Sequence, residues 1–97
     1  MILEIQCLPS PMGADDDPYR HVDAAIAVIE ASGLHHEVGA LGTTVEGTPD
    51  ELWPLARRVH EACLAAGATG VVSIVKVAET AGAEATTMDA LTEKFRS

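Results

Sequence analysis

The sequence predicts an α+β fold, a four-stranded antiparallel sheet with two helices on one face and a short C-terminal helix beyond them. Three observations lead there. Stretches of period-two alternation stand near both ends and in the middle of the chain. Two amphipathic helical patterns separate them. The two central strands, at about 34–41 and 43–47, are joined by a turn too tight for anything but a hairpin. The resulting order, β-α-β-β-α-β, is the ferredoxin-like arrangement. At 97 residues the chain makes one domain, 1–97, with its core at 2–77 and a terminal helix at about 86–96.

Each element has a local reason. Residues 2–8 place Leu3, Ile5 and Cys7 on one face and Ile2, Glu4, Gln6 and Leu8 on the other. The loop 9–17 holds two prolines, a glycine and three aspartates. Asp17 and Pro18 have the chemistry of an N-cap and a first helical residue, so helix one is expected at 18–32, ending at Gly33. Val22, Ala25, Ile26 and Ile29 form its apolar stripe, with Arg20, His21, Asp23 and Glu30 in solvent. In the hairpin, if Val45 points to the helices, Thr44 and Glu46 point away.

Thr48 and Glu51 form a capping box around Pro49 and open helix two. Its core face is Leu52, Leu55, Val59, Ala62, Cys63 and Ala66, with a bend or an open hydrogen bond expected at Pro54. Residues 71–77 are strand four, 80–85 a loop, and 86–96 a short helix with Met88, Leu91 and Phe95 on one side.

Composition narrows the function. A net charge of −9 opposes nucleic-acid binding, which needs a basic stripe, and suits a cationic ligand. No apolar run reaches the length of a membrane span, and the first residues lack the basic start of a secretory signal, so a cytoplasmic protein is expected. Cys7 and Cys63 read as buried free thiols. Asp15, Asp16 and Asp17 are consecutive carboxylates without metal-loop spacing, and His35 and His36 are strand neighbours on opposite faces. No metal or cofactor is expected. His60 and Cys63 stand at helical spacing but have no third group to orient them, so no catalytic residue is expected.

Two helices cover only one side of such a sheet. Ile2, Leu8, Val72 and Ile74 are left on the other with Glu4, Gln6 and Lys76. That surface is apolar enough to predict a homo-oligomer, a dimer or tetramer joined through the open sheet face and enclosing a polar pocket.

Gly33-Leu34, the run Leu41-Gly42-Thr43-Thr44-Val45-Glu46-Gly47, Asp50-Glu51-Leu52-Trp53 and His60-Glu61 resemble the small thiamine-binding protein family. The resemblance covers residues 2–77, and Leu8-Pro9 with Gly13 is similar to that family's first loop. It departs at Asp15–17, where the family has serines, and at Thr69-Gly70, where an arginine is common. It implies binding of thiamine or its hydroxymethylpyrimidine part, without catalysis. A carboxylate such as Glu46 could pair with the aminopyrimidine, and Thr43, Thr44 and Gln6 could supply further hydrogen bonds. With Pro9 in the first loop and His36 at the ligand's edge, these are the six expected ligand-binding residues.

Overall fold

The computed structural model describes residues 1–82 and 86–96. In chain order it contains β1 (Ile2–Ser10), α1 (Arg20–Ala31), β2 (His36–Val38), β3 (Thr43–Glu46), α2 (Pro49–Ala65), β4 (Gly70–Ala78) and α3 (Met88–Thr92), which runs on into a 3-10 turn, Glu93–Phe95. The strands form one antiparallel sheet in the order β2-β3-β1-β4. This is the ferredoxin-like α+β fold that the alternation and helix patterns predict.

Antiparallel partners share a face, so the register assigns every side chain. Leu3 lies opposite Val45 on one side of β1 and Val77 on the other, and both Leu3 and Val45 are buried under the helices. Glu4 is opposite Thr44 and Lys76, and Ile2 opposite Glu46, on the face the helices leave open. The core joins Leu3, Ile5 and Val45 to Ala25 and Ile29 of α1 and to Leu52, Leu55, Val59 and Cys63 of α2. Each of the large aliphatic side chains stabilises the fold by about 1.5–3 kcal/mol through its burial.

α2 begins as its sequence requires. The Thr48 side chain accepts from the Glu51 amide at 3.2 Å, and the Glu51 carboxylate accepts from the Thr48 amide at 2.9 Å. The Thr48 amide, and after it the Thr48 hydroxyl, hold the Glu51 carboxyl below its ordinary value. Pro54 lies inside the helix, which continues through it to Ala65. Gly33, at φ +74°, stops the chain after α1 in the left-handed region that glycine tolerates.

Other boundaries differ from expectation for non-local reasons. β1 continues past Leu8 because Leu8, Pro9 and Ser10 still pair with Val72, Val71 and Gly70 of β4. β3 reaches only as far as Ile5, so a residue without an N–H is tolerated beyond that point. β2 is only three residues long, because residues 39–42 turn back early with the Gly39 amide on the Gly42 carbonyl at 2.8 Å.

α1 starts at Arg20, and Asp17 does not cap it. Asp17 and Ala14 exchange backbone hydrogen bonds of 2.8 and 3.0 Å, and the Asp17 carboxylate is 3.8 Å from the Arg20 guanidinium. That turn needs Gly13, where a Cβ would overlap the Asp17 carbonyl oxygen and the Pro18 backbone. His21, expected in solvent, is buried, with Nδ1 2.7 Å from the Pro11 carbonyl. In the C-terminal helix Thr87 is the cap, and Met88 is buried while Leu91 and Phe95 stay exposed. Residues 83–85 of the predicted 80–85 loop lie outside the described residues.

The capping box yields a prediction. Thr48→Ala should cost about 1 kcal/mol in urea unfolding. Because folding lowers the Glu51 pKa, its contribution is present above the ordinary carboxylate value and disappears as pH falls through the lowered one. Glu51→Gln should therefore flatten the acid limb of the stability curve and leave the neutral-to-alkaline limb with its original slope.

Candidate ligand-binding site

β1 is paired to β4 over nine positions but to β3 over only four, Ile2 to Ile5. Beyond Ile5 the β3 side of β1 has no strand partner among the described residues. The β2–β3 loop swings away at Gly39–Gly42, and α1 passes alongside. Between them lies a cleft of about 310 Å³. Residues of both parities from β1 line it, Ile5 and Cys7 together with Gln6 and Leu8, so it opens around the strand's free edge.

The cleft walls are mostly apolar. Val22 and Ile26 supply the α1 side, Leu41 the loop side and Met12 the rim. Val22 and Ile26 were expected in the core stripe, and they are only half-buried because the space beside them is the cleft. Leu41 is 80% exposed at the loop tip, an apolar residue placed where packing does not require one. Polar groups come from Gln6 and from Thr43, which is 4% exposed. Neither side chain has a hydrogen-bond partner among the described residues. The free edge of β1 adds backbone N–H and C=O groups at alternate residues. Such a site offers apolar walls with donors and acceptors at one edge.

The six expected ligand residues divide into groups. Gln6 and Thr43 meet at the cleft. Pro9 is buried at the far end of β1, opposite Val71. His36 pairs with Val45, and its Nδ1 is 2.9 Å from the Leu34 carbonyl. Thr44 and Glu46 project from the open face, as the burial of Val45 requires.

Glu46 has a partner that no local pattern announces. Its Oε1 accepts the Met88 amide at 2.7 Å, so it satisfies an N–H at the start of α3. Around it, His35 Nε2 is 3.2 Å from the Asp89 carboxylate, and Arg96 reaches Asp89 at 3.1 Å and Glu37 at 3.9 Å. The hydrogen bond from His35 holds the Asp89 carboxyl below its ordinary value, with the His35 and Arg96 charges acting the same way. α3 is thus pinned over the β3 end of the open face. At the middle of that face Lys76 is 3.4 Å from Glu4. Leu8, Val72 and Ile74 are 46%, 63% and 48% exposed beyond it.

His60, considered beside Cys63, stands instead with Nδ1 2.6 Å from the Ser73 hydroxyl. His35 and His36 diverge, to Asp89 and to the Leu34 carbonyl. Among the described residues no three His, Cys, Asp or Glu side chains are grouped to hold a metal ion. No helix among them is long and apolar enough to cross a membrane.

A family model described as thiamine-binding protein matches residues 3–96. The UPF0045 protein CPE1503 of Clostridium perfringens is 38% identical over 94 residues, which span 97% of this chain and 95% of that protein. Among solved structures, a DUF77 domain of unknown function from Bacillus cereus is 34% identical, with a TM-score of 0.86 over 98% of this chain and 88% of that one. A candidate thiamine biosynthesis/salvage protein of Thermotoga maritima, TM0486, is 25% identical, with a TM-score of 0.82 over 98% of this chain and 97% of that one.

The contact between Glu46 and Met88 can be tested without a ligand. Glu46→Ala should abolish hydrogen-exchange protection at the Met88 amide while protection within α2 is unchanged. Equal protection at Met88 in both proteins would mean that packing alone holds α3.

Proposed function

The chain belongs to the thiamine-binding protein family, and on that footing we propose that it binds thiamine or its hydroxymethylpyrimidine part, without chemistry, in the cleft between α1 and the β2–β3 loop. The observation that carries this reading is the pairing of the Gln6 and Thr43 side chains with the unpaired edge of β1 between apolar walls. An aminopyrimidine has two apolar faces and an edge of alternating donors and acceptors. The walls suit its faces, and the threonine hydroxyl, the amide and the strand edge suit its rim. About 310 Å³ accommodates one small heterocycle, near the lower end of the range for ligand sites. A net charge of −9 draws a cationic thiazolium toward the protein.

This assignment uses Gln6 and Thr43 of the six expected residues and leaves Thr44 and Glu46 to the open face. For that face the reading includes a second copy of the chain. Leu8, Val72 and Ile74 are a large apolar area for a sheet surface in water, and Glu4 and Lys76 beside them give it both charges, as a self-complementary contact needs. The two free thiols fit a reducing, cytoplasmic setting.

Calorimetry with thiamine and with hydroxymethylpyrimidine tests the ligand. Thr43→Val, which keeps the shape and removes the hydroxyl, should weaken binding about tenfold, the equivalent of about 1.4 kcal/mol. Val22→Trp should fill the cleft and abolish the heat. Absence of heat with both compounds and wild-type protein would reject the assignment. Sedimentation tests the second copy: Ile74→Glu should convert an oligomer to monomer, and a wild-type monomer at micromolar concentration would exclude it.

A further inference from the structure

A string of hydrogen-bonded polar side chains runs between the sheet and α2. His60 of α2 places Nδ1 2.6 Å from Ser73 Oγ of β4. Ser73 Oγ is 3.4 Å from Cys7 Sγ of β1. Cys7 packs on the core cluster that contains Cys63, and like Val59, one turn before Cys63 in α2, it lines the cleft. Cys63 is fully buried, and its burial, with Cys7 beside it, pushes its thiol pKa up to about 11. Cys7 is half-buried and lines the cleft. One sulfur is therefore reachable from solvent and hydrogen-bonded toward an imidazole, and the second stands behind it, protonated and shielded. Core packing alone would call for no such alignment of a serine and a histidine on the accessible thiol.

We propose that Cys7 and Cys63 form a peroxide-reactive dithiol, in which Cys7 is the attacking thiol, Cys63 the resolving thiol, and Ser73 with His60 the proton path from Cys7. In the His60 tautomer protonated at Nε2, Ser73 donates to Nδ1, and its oxygen is left to accept from the Cys7 thiol. The Cys7 proton moves to Ser73 oxygen as the serine proton moves to His60. The thiolate attacks one oxygen of a hydroperoxide entering by the cleft. A sulfur–oxygen bond forms, the oxygen–oxygen bond breaks, and the leaving oxygen takes the proton held on His60. With hydrogen peroxide it leaves as water. Cys63 then attacks the Cys7 sulfenic acid, the sulfur–sulfur bond forms, the sulfur–oxygen bond breaks, and the departing hydroxide takes the Cys63 proton as a second water. Two thiols are oxidised and one hydrogen peroxide is reduced. Since Cys7 and Val59 both line the cleft and Cys63 lies in α2, the disulfide would tie β1 to α2 at the cleft floor. The proposal does not depend on which ligand the cleft takes.

The test treats the full-length protein with hydrogen peroxide and follows intact mass and digested peptides, with and without dithiothreitol. The expected product has lost two hydrogens, carries a Cys7–Cys63 linked peptide within one chain, and reverts on reduction. Cys63→Ala should stop at a Cys7 sulfenic acid trapped by dimedone, and Cys7→Ala should leave Cys63 unmodified. Ser73→Ala and His60→Gln should slow linkage at least about tenfold, with Ser73→Thr restoring much of the rate and circular dichroism verifying each fold. Thiols that oxidise independently, or link only between chains, would overturn the dithiol. Linkage at the wild-type rate in folded Ser73→Ala and His60→Gln would overturn the proton path.

Discussion

Unequal pairing of the two edges of β1 organises this molecule. One edge is bonded to β4 from Ile2 to Ser10, and the other is bonded to β3 only from Ile2 to Ile5. The full edge holds the first and fourth strands together. The half-empty edge leaves a strand with exposed polar backbone inside an otherwise apolar recess, between α1 and the β2–β3 loop. Both the cleft and the accessible side of Cys7 follow from that one mismatch in strand length. Had β3 continued beside Gln6 and Cys7, ladder hydrogen bonds would occupy the space.

The second constraint is the one-sidedness of the helical layer. α1 and α2 bury Leu3, Ile5 and Val45, and their alternating neighbours Ile2, Glu4, Gln6, Thr44 and Glu46 must then face the other way. α3 covers one end of that second face, where Glu46, His35 and Glu37 hold its turns. The opposite end keeps Leu8, Val72 and Ile74 in solvent within a single chain. The recess at the β1 edge thus draws Thr43 from the helix-covered face and Gln6 from the other, and that other face also carries charged pairs beside a bare aliphatic patch.

Much of this architecture is legible in local sequence. Alternation along residues 2–8 defines the faces of β1, and Thr48 and Glu51 mark the start of α2, whereas the facing of Thr44 and Glu46 stays open in the sequence until the burial of Val45 fixes it. What is not legible depends on groups distant in the chain. His21 is buried because the Pro11 carbonyl and Gly67 meet it. Glu46 bonds an amide 42 residues later, and His60 finds Ser73 rather than Cys63. Asp17 and Pro18 have the chemistry of a helix start, but the tight turn through Gly13 uses the backbone first. Of the candidate site, Gln6 and Thr43 were visible as polar residues on strands, whereas the cleft itself was not. It arises from where β2 and β3 stop, and strand ends are set by tertiary contacts rather than by propensity.

The long ladder between β1 and β4 also bears on how the chain is made. Ile2 faces Ala78 and Ser10 faces Gly70, so β1 is synthesised well before β4, the strand it pairs with over its whole length. Closing that ladder brings together strands separated by the hairpin and both helices, and a chain cut short before β4 would leave the β4 edge of β1 unpaired from Ile2 to Ser10.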